Sequence, residues 1–328
     1  MSFFSILLAL VLEQARPLAP QNPVYQAVEQ WSRWVARTLD AGVRHLAWAS
    51  WTLATVVPAL LAVLVHVLAQ WGLGWLAAVL WHVALLYVTL GFRQFSHHFT
   101  AIREALDAGE EARARELLAQ WQQVEVADLP RSELLRHVIE YSVLAAHRHV
   151  FGVLACYCVF AVLGLGPAGA VLYRMAEFTS RYWPRQALQQ PVSPALREAA
   201  EKAWHVIDWL PARATALAFA VVGSFEEAID CWRHHAQRFP NDNDGVVLAA
   251  TSGAVNVRLG GEALRSAFAT PGPGGWQEGA TEDTVDSEST PGREAEAGHL
   301  RSIVGLVWRS VVLWMLLLAL LTLARLLG

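Results

Sequence analysis

The sequence predicts an all-α fold, a polytopic helical membrane protein with about four spans, amphipathic interfacial helices and short helical hairpins. Hydrophobic residues make up 55% of the 328 residues, and the mean hydropathy is +0.32. Charged residues make up only 16%, whereas a soluble domain carries about a quarter. Several uncharged runs exceed the roughly 20 residues that cross a bilayer. Fifteen tryptophans also favour contact with membrane–water boundaries.

The first segment, residues 1–45, joins a short apolar run to an amphipathic helix. The apolar run covers residues 3–12 and is too short to span a bilayer. It lacks a preceding basic region and a small-residue cleavage site, so we expect an interfacial or partly inserted segment rather than a cleaved signal peptide. Residues 28–44 carry apolar and charged positions on opposite helical faces, which predicts a helix along the membrane surface.

Residues 46–92 are predicted to form a transmembrane hairpin. Leu46–Ala69 contains no Asp, Glu, Lys or Arg, and Trp71–Phe92 contains none either. Only a turn around residues 70–74 separates the two runs, so the helices should be antiparallel neighbours. Arginines flank the hairpin on both sides, which by the positive-inside rule places both flanks in the cytoplasm.

Two further spans are predicted downstream. Residues 93–149 are expected to be a cytoplasmic helical segment, and residues 150–269 begin with a third span, Val150–Tyr173. The fourth span is Ile303–Ala324. Four full spans place residues 174–302 in the periplasm, whereas a different behaviour of the opening run or the third span inverts that placement. Both alternatives stay open, because long loops are largely exempt from the positive-inside rule.

The remaining segments are shorter and more polar. Residues 99–121 and 223–237 have the pattern of ordinary amphipathic helical hairpins. Residues 240–261 are too short to cross and predict a re-entrant or core segment. Residues 270–299 hold seven acids and one arginine among many Gly, Pro, Ser and Thr. This composition predicts an acidic disordered linker to the C-terminal helix of residues 300–328.

The most informative polar residues lie where a polar helix gives way to an apolar stretch. Asp208, Trp209 and Arg213 flank Pro211, which is expected to end or kink the incoming helix. One interpretation is a purely structural Asp–Arg pair with a tryptophan anchor. The other is that Arg213 presents its planar guanidinium to a phosphate or carboxylate. The residues alone leave both interpretations open.

No motif in the sequence predicts a metal site, a cofactor site or a catalytic residue. GLGPAG at residues 164–169 lacks the βαβ context of a dinucleotide site, so we expect it to kink the span and allow close helix approach. The paired histidines lack metal-chelating spacing, and His66 and His82 are expected to bond neighbouring helices. The net charge of −4 excludes the usual basic nucleic-acid-binding protein.

Three motifs in the C-terminal half resemble those of the CobD/CbiB family of cobalamin-pathway membrane proteins. That family carries a PGA-x₂-Y-[KR] segment, an NW-[IV]-PAR segment and an SPNAGW…AGALGVRLGG segment. The corresponding residues here are Pro167-Ala168-Gly169-Ala170…Tyr173-Arg174, Asp208-Trp209-Leu210-Pro211-Ala212-Arg213, and Asn243, Gly245 and Val257-Arg258-Leu259-Gly260-Gly261.

The whole chain is more similar to AmpE, an inner-membrane relative linked to β-lactamase induction and cell-wall sensing. The resemblance begins with ILLALVLEQ at residues 6–14 and continues with HVIDWLPAR at residues 205–213. A single apolar span ends both chains. The resemblance implies a multi-pass protein of the bacterial inner membrane with a role in cell-envelope sensing or signalling.

This chain departs from the cobalamin-family pattern at positions where the family motifs carry acidic residues. Residues 176–182 replace the family's NTLDSMVGY motif, Trp204 and His205 stand in the register of two aspartates, and Leu248 replaces a glutamate. The family's activity joins an aminopropanol or its phosphate to a corrinoid carboxylate, and such a site is expected to use acids. We therefore expect a non-catalytic AmpE-like protein. The alternative is a divergent adenosylcobinamide-phosphate synthase.

The expected partners are the lipid bilayer and either an anionic ligand, a phosphate or a carboxylate, or an envelope protein. We expect neither nucleic acid nor a cofactor as a partner. The candidate ligand-binding residues are Asp208, Trp209, Arg213, Asn243, Arg258, Tyr173, Arg174 and Glu140.

Overall fold

The structure is a computed structural model, and it describes residues 2–16, 18, 22–122, 130–186, 192–260 and 289–327. Regular structure in these residues is helical, as predicted, apart from an isolated bridge between Val257 and Arg293. The helices are α1 (Ser2–Ala15), α2 (Pro23–Leu39), α3 (Arg44–Gly72), α4 (Trp75–Thr89), α5 (Phe92–Asp107), α6 (Glu111–Gln122), α7 (Arg131–Ala146), α8 (Gly152–Val162), α9 (Ala168–Gln186), α10 (Pro194–Val222), α11 (Phe225–His235), α12 (Asp242–Val255) and α13 (Ala297–Leu327). A π-helical turn, His147–Phe151, joins α7 to α8.

Four helical stretches in the described part of the chain are long and apolar enough to cross a membrane. They are Arg44–Gly72, Arg131–Val162, Pro194–Val222 and Ala297–Ala324. The chain is therefore a multi-pass membrane protein. The all-α fold class and the number of spans agree with the sequence prediction, and so does the identity of the first and last spans.

The two middle spans differ from the prediction. The predicted span Trp71–Phe92 contains α4, which has 15 residues and is shorter than the roughly 20 that a crossing needs. The predicted span Val150–Tyr173 is interrupted, because the helix ends at Val162 and Gly164 and Gly166 adopt positive φ values of 77° and 61°. The long apolar helix instead begins upstream, at Arg131.

The span in Pro194–Val222 was missed because Pro211 was expected to interrupt the helix. Proline removes one backbone donor and crowds the preceding turn, but a membrane helix tolerates it when neighbouring groups satisfy the freed carbonyl. Here α10 continues through Pro211 for 29 residues in all.

The chain folds as two compact units. The first comprises Met1–Arg93, Arg148–Pro211 and Leu317–Gly328, and the second comprises Gln94–His147 and Ala212–Leu316. In the first unit α3 packs against α4 and α9, and α8 packs against α9. Small side chains allow this approach, since Ala59, Ala62 and Ala168 form a buried cluster.

The GLGPAG segment explains how α8 and α9 approach each other. A Cβ atom on Gly169 would lie 2.1 Å from the backbone oxygen of Cys156. Only glycine leaves room for that backbone, which agrees with the predicted role of this segment in close helix packing.

The amphipathic helix α2 belongs to the first unit and packs against α3 and α9. Asn22 caps its N-terminus by accepting a hydrogen bond from the backbone N–H of Tyr25 at 2.8 Å. Ser32 and Val35 face inward, whereas Trp34 is half exposed. The surface-lying orientation inferred from the sequence stays a prediction.

In the second unit, α12 is a buried core helix. Its residues from Asn243 to Gly253 are buried, and it packs against α11 and α7. The sequence left a re-entrant or a core segment open, and the packing favours the core segment. A Cβ atom on Gly253 would lie 2.1 Å from the backbone oxygen of Glu227, so α11 and α12 are in backbone contact there.

The end of the predicted linker is structured, contrary to expectation. Residues 270–288 of the predicted linker lie outside the described residues, but residues 289–296 pair with the loop that follows α12. The backbone N–H of Arg258 donates to the oxygen of Arg293 at 2.7 Å. Thr290 Oγ1 accepts from the backbone N–H of Leu259 at 2.8 Å. Polar composition alone does not reveal such pairing, because the partners lie far apart in sequence.

We predict that Gly253→Ala destabilises the protein by about 1–3 kcal/mol, the usual cost of overpacking a core. The added methyl group meets the backbone of α11, which a rotamer change cannot relieve. Gly305→Ala is the control, because nothing lies within 4 Å of its Cβ position. Unfolding of the detergent-solubilised protein measures both variants. Equal stability of the two would contradict the packing described here.

Candidate functional site

A buried tyrosine–aspartate pair lies at the centre of the first unit. The Tyr173 hydroxyl donates to Asp208 Oδ1 at 2.8 Å, and both residues are fully buried. Burial raises the pKa of Tyr173 well above its ordinary value, and the Asp208 carboxylate reinforces the shift. The phenol therefore stays protonated and keeps donating, which ties α9 to α10.

The surroundings of Tyr173 leave its hydroxyl little freedom. Its ring packs against Trp204 with a centroid distance of 5.0 Å. A Cβ atom on Gly152 would lie 2.0 Å from the Tyr173 hydroxyl oxygen. Glycine at position 152 thus makes the space in which the tyrosine–aspartate hydrogen bond forms.

A charged cluster, which we call the arginine–glutamate cluster, follows Tyr173 on α9 and comprises Arg174, Glu177 and Arg181. Arg174 Nη1 lies 3.1 Å from Glu177 Oε2, and Arg181 Nε lies 3.1 Å from Glu177 Oε1. Glu177 is buried, whereas the two guanidiniums are partly exposed. One buried carboxylate therefore holds two arginines whose outer edges reach the surface.

His149 also contacts the guanidinium of Arg174. Arg174 Nη1 lies 3.0 Å from His149 Nδ1. A guanidinium can only donate, so Nδ1 must carry a lone pair and the imidazole proton must reside on Nε2. His149 comes from the π-helical turn, a distortion that is frequent at functional sites.

The second unit holds another arginine in a similar way. Arg213 Nη1 donates to Asn243 Oδ1 at 3.1 Å. Asn243 is buried at the start of α12, whereas Arg213 is partly exposed. An oriented guanidinium is better prepared to bind an anion, so this contact is compatible with the functional interpretation of Arg213.

Glu140 has a positioning role in the second unit. Its Oε1 atom accepts a hydrogen bond of 2.6 Å from the backbone N–H of Gly260, and Arg136 Nε lies 3.8 Å away. Glu140 is buried, so it holds the loop containing Arg258 rather than reaching the surface. Arg258 itself is partly exposed.

The candidate residues thus divide between the two units. Tyr173 and Asp208 are bonded in the first, Arg174 joins the arginine–glutamate cluster there, and Trp209 is half exposed. The second unit brings Arg213 to Asn243. Whether any candidate residue contacts a ligand stays a prediction, and no catalytic residue is assigned.

Sequence reasoning missed Glu177, Arg181 and His149. A signal for the first two existed, because residues 174, 177 and 181 share one face of a helix at i, i+3 and i+7 spacing. His149 carried no comparable signal, since its contact with Arg174 joins different helical segments.

His66 and His82 approach each other inside the first unit, in a hydrogen-bond chain. His82 Nε2 lies 3.1 Å from His66 Nδ1, and His82 Nδ1 lies 2.7 Å from the Tyr157 hydroxyl. Within the described ranges, no group of three or more His, Cys, Asp or Glu residues could hold a metal ion. The chain of bonds joins helices α3, α4 and α8.

Comparison with known proteins identifies the family of the chain. The family described as CobD/Cbib protein matches residues 3–288. The chain belongs to the CobD/CbiB family. The match extends over both units, including the arginine–glutamate cluster and the Arg213–Asn243 contact.

Three relatives that match the chain carry the name cobalamin biosynthesis protein CobD. The protein from Stutzerimonas stutzeri is 28% identical over 323 residues, which is 96% of this chain and 96% of that protein. The protein from Chromobacterium violaceum is 33% identical over 198 residues, 60% of this chain and 61% of that protein. The protein from Mycobacterium tuberculosis is 48% identical over 62 residues, 16% of this chain and 20% of that protein. No solved structure matches the chain.

The expectation of a non-catalytic AmpE-like envelope sensor is therefore wrong. The relatives are named for cobalamin biosynthesis, not for β-lactamase induction. That expectation depended on acids missing from particular registers. The fold instead buries Glu140, Glu177, Asp208 and Asp244. Acids are therefore present in both units at positions other than those family registers.

We predict that Tyr173→Phe destabilises the protein by about 1–3 kcal/mol, because it removes a donor from a buried carboxylate. Gly152→Ala should act in the same direction, since its methyl group displaces the same hydroxyl. Tyr25→Phe is the matched control, because Tyr25 is 44% exposed and surface changes cost less than about 0.5 kcal/mol. Thermal unfolding in detergent compares the three. A neutral Tyr173→Phe would show that the pair is dispensable.

Proposed function

We propose that this chain is a cobinamide-phosphate synthase of the CobD/CbiB type that acts in cobalamin biosynthesis. The membership of the family and the names of the relatives support this function over an envelope-sensing role. We also propose the bacterial inner membrane as its location, which follows from the four candidate spans together with that pathway assignment.

The observation that carries the proposal is that partly exposed arginines are held by buried polar side chains. Glu177 holds Arg174, and Asn243 holds Arg213. Orienting a guanidinium before a ligand arrives reduces the entropy lost on binding. Planar guanidinium forks match carboxylates and phosphates. Both groups occur in the substrates of this reaction, a corrinoid carboxylate and an amino alcohol phosphate.

The reaction forms an amide bond between the amine of the amino alcohol phosphate and the corrinoid carboxylate. As the C–N bond forms, the carboxylate loses one oxygen and the ammonium group loses two of its three protons, and the third proton stays on the amide nitrogen. A nucleoside triphosphate is the co-reactant class that removes this oxygen on its released phosphate. Each arginine contributes binding and charge neutralisation to an anionic group at its own unit.

The buried acids have positioning roles in this proposal. Asp208 fixes Tyr173, Glu177 fixes Arg174 and Arg181, and Glu140 fixes the loop at Gly260. Because these carboxylates are buried, they act through the groups that they hold. Because the acids only position other groups, they can stand at sequence positions that differ from those of the CobD/CbiB motifs.

We predict that expression of this chain in a bacterium lacking its cobinamide-phosphate synthase restores growth on cobyric acid. Mass spectrometry of the corrinoids should detect the amide product formed with the amino alcohol phosphate. A vector without the gene is the control for background growth. Normal membrane levels of the protein without growth or product would refute the proposed function.

We predict that Arg213→Lys lowers the synthase activity by about tenfold or more, at unchanged membrane levels. Lysine keeps the positive charge but loses the planar fork that bonds Asn243 and an anion. Arg233→Lys is the matched control, because Arg233 is exposed on α11 in the same unit. Full activity of Arg213→Lys would support the purely structural interpretation of that arginine.

A further inference from the structure

We propose that Arg174, Glu177 and Arg181 form a clamp for the phosphate group of the amino alcohol substrate. The inference rests on the proposed function and specifies one of its substrate sites. It concerns the arginine–glutamate cluster in the first unit only. Glu177 and Arg181 lie in residues 176–182, where this chain departs from the resembling motif, so the resemblance supplies neither residue.

The charge and the number of donors in the cluster favour an anion with several acceptor oxygens. Glu177 neutralises one guanidinium, so two arginines leave one excess positive charge. His149 adds no charge, because its Nδ1 accepts from Arg174. A phosphate monoester carries about −1.5 to −2 charges at pH 7. Charge alone does not separate a phosphate from a carboxylate here, but three phosphate oxygens can accept from two neighbouring guanidiniums, whereas a carboxylate offers only two oxygens.

The N–H groups of Arg174 and Arg181 that make no hydrogen bond to a described residue also favour a phosphate ligand. A guanidinium has five N–H donors in a planar fork. The contacts of Arg174 with His149 and Glu177 use only Nη1, and the contact of Arg181 with Glu177 uses Nε. Neither arginine makes a further hydrogen bond to a described residue. Their side chains are 23% and 28% exposed, so part of each side chain can be reached by a ligand.

The anchoring of both arginines makes the cluster a prepared site rather than a basic surface. Glu177 is 6% exposed in its side chain and contacts one arginine with each carboxylate oxygen. The i, i+3 and i+7 spacing sets the three side chains on one face of α9. Helix α9 lies outside the four candidate spans, which suits a small water-soluble substrate.

Binding measurements on the full-length protein test the clamp. The protein is placed in phosphatidylcholine nanodiscs and titrated with O-phosphoethanolamine, inorganic phosphate or ethanolamine. We expect the two phosphates to bind and ethanolamine not to bind. Arg181→Lys and Arg174→Lys should each weaken phosphate binding by about tenfold, because lysine loses bidentate bonding. No binding of either phosphate to the unmodified protein would overturn the clamp.

The matched control is Arg185→Lys, an exposed arginine one turn further along α9. It should bind phosphate as the unmodified protein does. An equal loss in Arg185→Lys would show a diffuse basic surface and would overturn the clamp. Equal melting temperatures of the variants establish that a loss of binding is not a loss of folding.

Changing the lipid in the nanodisc tests whether the clamp binds a lipid headgroup or a soluble amino alcohol phosphate. Phosphatidylethanolamine presents an amino alcohol phosphate as a lipid headgroup. If adding this lipid abolishes binding of O-phosphoethanolamine in a manner that depends on Arg181, the clamp holds a headgroup and the substrate assignment is overturned. Unchanged binding supports the soluble amino alcohol phosphate.

Failure of the clamp and failure of the proposed function give different results. Phosphate binding that depends on Arg174 and Arg181, without any amide product, supports the clamp and refutes the synthase. Amide formation with normal KM for the amino alcohol phosphate in Arg174→Lys and Arg181→Lys refutes the clamp alone. A KM raised about tenfold in both variants, with kcat little changed, supports both.

Discussion

A carboxylate that leaves water must find hydrogen-bond donors, and this requirement applies to the buried acids that position the candidate site residues. Charged residues make up only 16% of the sequence. Burying an unpaired charge costs several kcal/mol. Asp208 accordingly receives the Tyr173 hydroxyl, Glu140 receives the Gly260 N–H, and Glu177 lies between two arginines. The same contacts fix the helices that bear the candidate site residues.

Close backbone approach is the second condition for these contacts. Helices must come near each other for a tyrosine on α9 to reach an aspartate on α10. Gly152 makes room for the Tyr173 hydroxyl, and Gly169 makes room for the backbone of α8. Lipid supplies no hydrophobic driving force for helices to associate. Close packing at small residues and hydrogen bonds between buried polar side chains therefore both stabilise the contacts between these helices.

The arrangement also explains why missing acids misled the functional interpretation. Matching a motif compares residues register by register, whereas a hydrogen bond depends on position in space. Glu177 stands in a stretch that departs from the family motif, yet it is buried between Arg174 and Arg181. The family match over residues 3–288 includes this stretch, although the stretch departs from the family motif.

The sequence by itself determined the helical membrane class, the first and last spans, and the motif residues Tyr173, Arg174, Asp208 and Arg213. These follow from local hydropathy and short patterns. Only the tertiary structure decided that α10 continues through Pro211 and that α8 ends before the GLGPAG segment. It alone paired Tyr173 with Asp208, 35 residues apart, and Glu140 with Gly260, 120 residues apart. Hydropathy is a property of neighbouring residues, but each of these pairs depends on how distant helices pack.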